Sequence, residues 1–514
     1  MSLARTFAIA LNGMHGELVE VEADIAAGLP AFVLIGLPDT ALGESRKRVT
    51  AAAANAGCPL TTRKLTVNLS PAALRKQGSA FDLAIAVAAL AAAGDVPTGS
   101  VAGAVHVGEL GLDGRVRPVT GVLPAVIAAR AAGFARILVP EADADEARLV
   151  DDIEVIPVAS LRAAAIWHGS SLEPRETDAV TRATPTSAGP PPELDLADVA
   201  GNREAVDALV VAAAGGHHLS MVGPPGAGKT MLAARLPSLL PDLTDEEALE
   251  ATCIRSLVGA PIGGSLVRRP PFESPHHTTS PAALVGGGSG RIVPGAIVRA
   301  THGVLFLDEA AEFPPSVLDA LRQPLESGRI TIHRASGVAT FPSRFQLVLA
   351  SNPCPCGHYG SLDDECTCSP IARRRYHARL SGPLLDRVDI RLSIRRLGLT
   401  ALREGAEGAS PGTPSAQLRS RVVQARAVAA ARLAGTGWRR NADVSGSWLR
   451  TGPRRLAPAA LSSLDRALER GAMTMRGYDR TLRLAWTLAD LDGADSPSGD
   501  HLGSALYLRR GMGA

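Results

Sequence analysis

Gly223-Pro224-Pro225-Gly226-Ala227-Gly228-Lys229-Thr230 is the stretch that decides the fold of this chain. It fits G-x-x-x-x-G-K-[ST], a glycine loop whose backbone N–H groups cradle phosphate oxygens at the start of a helix. A short apolar run, Leu219 to Val222, precedes it, and Met231-Leu232-Ala233-Ala234-Arg235 follows with good helix propensity. Strand, glycine loop and helix start are the setting the motif requires. Lys229 is the only lysine after Lys76; the other long basic side chains in that stretch are arginines. An ammonium on a thin stem reaches phosphates where a guanidinium fork is too wide, and the two cations do not substitute for one another. Gly223, Pro224, Pro225, Gly226, Ala227, Gly228, Lys229 and Thr230 are therefore the candidate cradle for ATP.

At 514 residues the chain is too long for one ordinary core, and three domains are expected. Hydrophobic residues make up 46% and aromatics only 3%, so the interior is built mainly of Ala, Val, Leu and Ile. A net charge of +2 argues neither for nor against nucleic acid; any such surface is local. The longest apolar run, Leu83 to Ala93, is shorter than the ~20 residues a membrane helix needs, and the N-terminus has no signal-peptide pattern. The composition excludes a membrane-spanning helical protein and predicts a soluble, cytoplasmic one. Six cysteines, four of them clustered, suit a metal site in a reducing compartment better than a disulfide frame.

Residues 1–168 mix strand-like runs, Phe32 to Leu37 and Lys64 to Leu69, with Ala-rich stretches such as Asp82 to Ala93, which reads as a buried helix. Residues 169–192 are rich in Ser, Thr, Pro, Glu and Gly and read as a linker. The nucleotide domain is expected over 193–398 and a helical region over 399–514, with a loose stretch from Glu404 to Pro414 between them. Helices are expected over Ser415 to Leu433, Ala457 to Arg470, Thr481 to Leu491 and after Asp500. No internal repeat is evident.

Val304-Leu305-Phe306-Leu307-Asp308-Glu309 is an apolar strand ending in two carboxylates, a Walker B pattern. Asp308 would hold Mg²⁺ with the Thr230 hydroxyl as partner, and Glu309 would polarise the attacking water. Phe345 to Asn352 is a second apolar strand ending in an amide, which fits a sensor of the terminal phosphate; a turn-forming Asn is the plainer alternative. Arg387, in Gly382-Pro383-Leu384-Leu385-Asp386-Arg387-Val388-Asp389, fits an arginine finger offered to a neighbouring subunit, which implies a ring. Arg379 is the second candidate, and an Arg387–Asp389 surface pair is the structural alternative. Arg476 opens a late helix and fits a lid arginine acting in cis, with Arg480 and Arg483 competing for that role.

Taken together these motifs predict an AAA+ ATPase. The wide spacing of Lys229 and Asp308 leaves room for a glycine-rich insert, Gly259 to Gly295. Ser327 to Pro342 reads as a hairpin turning at Ser336-Gly337, with His333 and Arg334 near its tip, resembling the pore hairpins of ring translocases. Cys354, Cys356, Cys366 and Cys368 supply four thiolates in two close pairs, enough to close a tetrahedral Zn²⁺ shell; structural free thiols and a redox switch are the alternatives. His358 is a substitute ligand. Cys58 and Cys253 read as core thiols. His276-His277 looks like a metal pair, but adjacent side chains on an extended chain point apart, so it reads as insert structure.

The chain resembles the ComM/YifB family, magnesium-chelatase-like AAA+ proteins of bacteria, over nearly its whole length. The resemblance rests on Gly215-Gly216-His217-His218, Pro275-His276-His277-Thr278, Leu321-Arg322-Gln323-Pro324-Leu325-Glu326, Asn352-Pro353-Cys354-Pro355-Cys356-Gly357 and Leu380-Ser381-Gly382-Pro383-Leu384-Leu385-Asp386-Arg387. It implies a homohexameric ring, assembled with ATP and DNA, that hydrolyses ATP and drives branch migration of DNA joints during homologous recombination and natural transformation. It also implies an α/β chain in three parts: an N-terminal Lon-protease-like α+β domain, a central AAA+ P-loop domain and a C-terminal helical lid. Two departures stand out. Ala310-Ala311 replaces the usual Leu-Pro after the Walker B acid, and Trp486 stands where an arginine is expected. Lon-type proteolysis needs a Ser activated by a Lys. Here Ala80 and Leu123 occupy those places, with Ser79 one position off, so the N-terminal domain is expected to be a non-proteolytic scaffold. The competing function is a chelatase-type motor that remodels a protein partner with the same ATPase ring.

Overall fold

A computed structural model describes the chain except residues 1–2, 37–42, 61–62, 75, 77, 183–193, 200, 289–291, 335–336, 361–365, 397–411 and 511–514. The N-terminal sheet has seven strands in the order Ala31–Ile35, Lys64–Ser70, His15–Ala26, Leu3–Asn12, Val105–His106, Arg136–Pro140 and Glu154–Val158. Period-2 patterning sets its inner face: along His15–Ala26, Val19, Val21 and Ala23 are fully buried while their neighbours are not. The helix Asp82–Ala93 follows the expected bounds and is buried along nearly its whole length. Small alanine side chains let it pack closely against the two longest strands. Ser79 is hydrogen-bonded to Glu109, Lys76 Nζ donates to the Pro71 carbonyl, and Leu123 is fully buried. Gln77 of the same stretch lies outside the described residues.

The second sheet carries the nucleotide motifs. Its order is Phe272–Glu273, Val304–Leu307, Gln346–Ser351, Leu219–Val222 and Ile390–Ser393, and every neighbouring pair is parallel. The three central strands are apolar runs with almost no exposure, as expected of a parallel sheet covered on both faces. The hairpin Arg329–Arg334 with Gly337–Pro342 forms as expected, though the residues of its turn at 335–336 lie outside the description. His333 and Arg334 are exposed.

The C-terminal part is helical: Ser415–Arg432, Pro458–Glu469, Met475–Leu491 and Gly499–Arg510 are its main helices. The third begins six residues before the expected Thr481. Thr474 caps it, its hydroxyl accepting the Gly477 N–H at 3.1 Å. Val422, Leu482 and Leu484 share one core with Leu232 and Leu236 of the helix Lys229–Leu239, so the lid packs directly on the phosphate-loop helix.

The region read as a linker from 169 is not free over its first part. Arg182 pairs with Asp143 at 2.9 Å, Arg162 donates to the Glu173 carbonyl at 2.7 Å, and Leu172 packs on the N-terminal core. The N-terminal domain also docks on the ATPase domain. Gly121 N–H donates to the Ser256 carbonyl at 3.0 Å, Ser256 Oγ bonds Glu146, and Cys253 is buried among Val119, Val122 and Val126. Among the described residues no helix is long and apolar enough to cross a membrane.

Candidate functional site

The strand Leu219–Val222 delivers the glycine loop, and the helix Lys229–Leu239 receives it. Gly226 and Gly228 have φ of 75° and 89°, a left-handed backbone that glycine adopts without penalty. Gly223 is required for close approach, since a Cβ there would stand 2.3 Å from the Ile394 carbonyl oxygen. Lys229 is only 8% exposed. Its Nζ donates to the carbonyls of Gly223 at 2.6 Å and Pro224 at 3.0 Å, and to Asn352 Oδ1 at 3.1 Å. Burial lowers its pKa, and the charges of Asp308 and Glu309 oppose that shift.

Parallel register explains why residues so far apart in sequence meet. Val222 pairs with Ser351 and Leu307 with Leu349, so the three strands finish within two residues of one another. Asp308, Glu309 and Asn352 emerge at that end, beside the glycine loop. Thr230 Oγ1 donates to Asp308 Oδ2 at 2.7 Å. Glu309 sits at φ 50°, in the left-handed region, and its N–H donates to Asp308 Oδ1 at 2.9 Å. The Thr230 hydroxyl and the Asp308 carboxylate form a hard oxygen pair, the donor chemistry Mg²⁺ prefers.

The expected arginines fall into distinct settings. Arg387 pairs with Glu326 and donates to the Pro383 carbonyl at 2.5 Å. The alternative Arg387–Asp389 pair does not form. Asp389 is 1% exposed, and its partners are Arg480, the His217 ring at 3.5 Å and the His218 N–H at 3.1 Å. These cationic and N–H partners hold its carboxyl well below the usual range despite burial. Arg379 pairs with Glu312 at 2.8 Å. Arg480 is thus held by Asp389, and Arg483 donates to the Val444 carbonyl at 2.8 Å, while Arg476 stands exposed on the first turn of its helix. Trp486 is a core residue, with the Arg432 guanidinium 4.3 Å above its ring.

The Sγ atoms of Cys354, Cys356, Cys366 and Cys368 all lie within 4.8 Å of one another. The Cys354–Cys356 and Cys354–Cys366 separations are 3.3 and 3.7 Å. A tetrahedral zinc with Zn–S of about 2.3 Å has sulfur–sulfur edges of about 3.8 Å, so the donor set fits that ion. The cluster is joined to the phosphate loop. Gly357, at φ 83°, packs where a Cβ would come 2.7 Å from Pro225 Cδ.

Two relationships escaped the sequence. One is this seat of Gly357 on Pro225. The other is the histidine pair of the insert: His277 Nδ1 lies 3.1 Å from Glu309 Oε2. The two histidine rings do not point apart as an extended chain would have them; their centroids are 4.1 Å from one another. A turn at His277–Thr278, closed by the Thr279 N–H donating to the His276 carbonyl at 2.9 Å, removes the alternation on which that reading relied.

A phosphate loop, a strand-end Asp-Glu pair and a strand-end Asn on one parallel sheet under a helical lid define an AAA+ ATPase of mixed α/β architecture. Three family models match along the chain: magnesium chelatase, subunit ChlI, over residues 195–402; subunit ChlI of Mg-chelatase over 21–143; and the ChlI C-terminal region over 412–509. An uncharacterized protein of Mycobacterium tuberculosis is 51% identical over 515 residues, 99% of each chain. The competence protein ComM of Haemophilus influenzae is 40% identical over 510 residues, covering 99% of this chain and 98% of the relative. The uncharacterized protein YifB of Escherichia coli is 40% identical over 517 residues, 99% and 97% of the two chains. The chain belongs to the ComM/YifB family of magnesium-chelatase-like proteins.

Proposed function

We propose that this chain is an ATP-driven motor that works as a homohexameric ring on DNA, promoting branch migration in recombination and natural transformation in the cytoplasm. The meeting of Thr230 with Asp308 at 2.7 Å and of Lys229 with Asn352 at 3.1 Å carries the nucleotide half of this reading. Gly226, Gly228, Lys229 and Thr230 offer backbone N–H groups to phosphate, and the Lys229 ammonium exchanges its carbonyl partners for phosphate oxygens. Thr230 and Asp308 would hold Mg²⁺, which neutralises charge on the phosphates when bound. Glu309 polarises water, Asn352 orients it, and Arg476 reaches the nucleotide from the lid. Arg387 leaves Glu326 to stabilise charge on a nucleotide held by the neighbouring chain. The four cysteines would hold a structural zinc.

The DNA half is supported by the likeness to a competence protein and by the exposed His333 and Arg334 on the hairpin. The magnesium-chelatase family models favour a second reading, in which the ring remodels a protein partner. Movement of a synthetic four-way DNA junction by the purified chain separates the two. ATP-dependent conversion of the junction is expected. Steady ATP hydrolysis without junction movement would favour the protein-remodelling reading.

A further inference from the structure

The glycine-rich insert brings a histidine to the carboxylate at the end of the Walker B strand. Phe272–Glu273 pairs in parallel with Val304–Leu307, with Phe272 opposite Val304 and Glu273 opposite Leu305. Both chains therefore leave the sheet at the same end, and residue 277 arrives beside residue 309. His277 Nδ1 stands 3.1 Å from Glu309 Oε2, within hydrogen-bonding distance. The imidazole is supported in turn. The ring of His276 lies 4.1 Å from it, and His276 Nδ1 bonds Thr278 Oγ1 at 2.9 Å.

Glu309 needs such support. Its carboxylate side chain is 51% exposed, and nothing in its own strand limits the rotation of a glutamate arm. Its backbone is already fixed by a left-handed φ of 50° and by the N–H bond to Asp308. A donor on Oε2 completes the restraint and leaves the second oxygen for a water proton.

We propose that His277 is a positioning residue for hydrolysis: its Nδ1–H holds one oxygen of Glu309 so that the other faces the attacking water. This rests on the reading of Glu309 as the water-polarising group. His277 comes from the insert, not from the strands that carry the nucleotide motifs, so the insert completes the hydrolytic site.

The test uses the full chain, with steady-state ATP hydrolysis, nucleotide binding by a fluorescent ATP analogue and thermal unfolding measured in parallel. His277→Ala should lower kcat roughly 10-fold or more while KM for ATP and nucleotide affinity stay unchanged. His277→Gln, which retains an N–H donor, should recover part of that loss, and His277→Phe should not. In a Glu309→Gln background, His277→Ala should cause no further fall. A His277→Ala chain at wild-type rate beside a silent Glu309→Gln chain overturns this proposal alone. Equal losses in the Ala and Gln variants, or a rise in KM at constant kcat, overturn it as well. Full hydrolysis by Glu309→Gln overturns the reading of Glu309 and this proposal with it.

Discussion

Gly357 of the cysteine loop sits on Pro225 of the phosphate loop so closely that a single added carbon would come 2.7 Å from Pro225 Cδ. The same loop begins two residues after Asn352, whose amide oxygen accepts from Lys229. The four-cysteine cluster therefore braces two parts of the nucleotide site at once. Gly357→Ala must both abandon a left-handed φ of 83° and displace Pro225. We expect it to weaken ATP binding by about 10-fold, or about 1.4 kcal/mol, with little change in global stability. Titration with a fluorescent ATP analogue checks this.

The sulfur geometry predicts a bound metal. Purified chain should carry about one equivalent of zinc, and Cys356→Ser should lose most of it. Elemental analysis is decisive: less than about half an equivalent in the wild-type chain counts against a structural site with four cysteine ligands. Because the loop touches Pro225, chelation should also lower ATP affinity.

Stability should fall on mild acidification. His218 is partly buried, its Nδ1 accepts the Leu347 N–H at 3.0 Å, and loss of water around the ring pushes its pKa down to about 4. In the unfolded chain it titrates near 6.5, so between about pH 6.5 and 4 the unfolded state binds the extra proton. Lowering the pH through that window therefore costs about 1.4 kcal/mol per pH unit for this one group. His168, also pushed to about 4 by burial, steepens the slope. Denaturant unfolding between pH 7 and pH 5 measures it. His218→Asn, whose amide oxygen can still accept from Leu347, should be less sensitive to pH than the wild type.

Much of the phosphate site was legible because it is written in contiguous strings. A glycine loop and two strands with polar ends each declare themselves within eight residues, and parallel pairing brings their ends close together. The helix Asp82–Ala93 was legible for the same local reason, an unbroken apolar run. Contacts between strings were not legible. Nothing in the spacing of His277 from Glu309 reveals that the insert supplies a strand beside the Walker B strand. Asp389 looked like a surface partner for Arg387, yet it is the buried centre of a cluster with Arg480 and His217. The helix expected from Thr481 begins at Met475, because the cap hydroxyl of Thr474, seven residues upstream, outweighs the less apolar first turn. The docking of Cys253 between domains depends on tertiary packing that no single segment encodes.

Substitutions at the core of the site should separate binding from hydrolysis. Lys229→Ala removes the only ammonium in the loop and should abolish both ATP binding and turnover. Glu309→Gln keeps the size of the side chain and removes its basicity. It should bind ATP near wild-type affinity while hydrolysis falls roughly 10²- to 10⁴-fold. Equilibrium binding and phosphate release, measured on the same preparations, distinguish the two.

The central claim is that ATP is hydrolysed at a seam between two chains, with the cradle from one and Arg387 from the other. Mixing Lys229→Ala chains with Arg387→Ala chains tests it most directly. Each variant alone should release almost no phosphate. In mixed assemblies some seams join an intact cradle to an intact arginine, and phosphate release should return. Full activity of Arg387→Ala alone, or silence in the mixture when both variants assemble together, would contradict the claim.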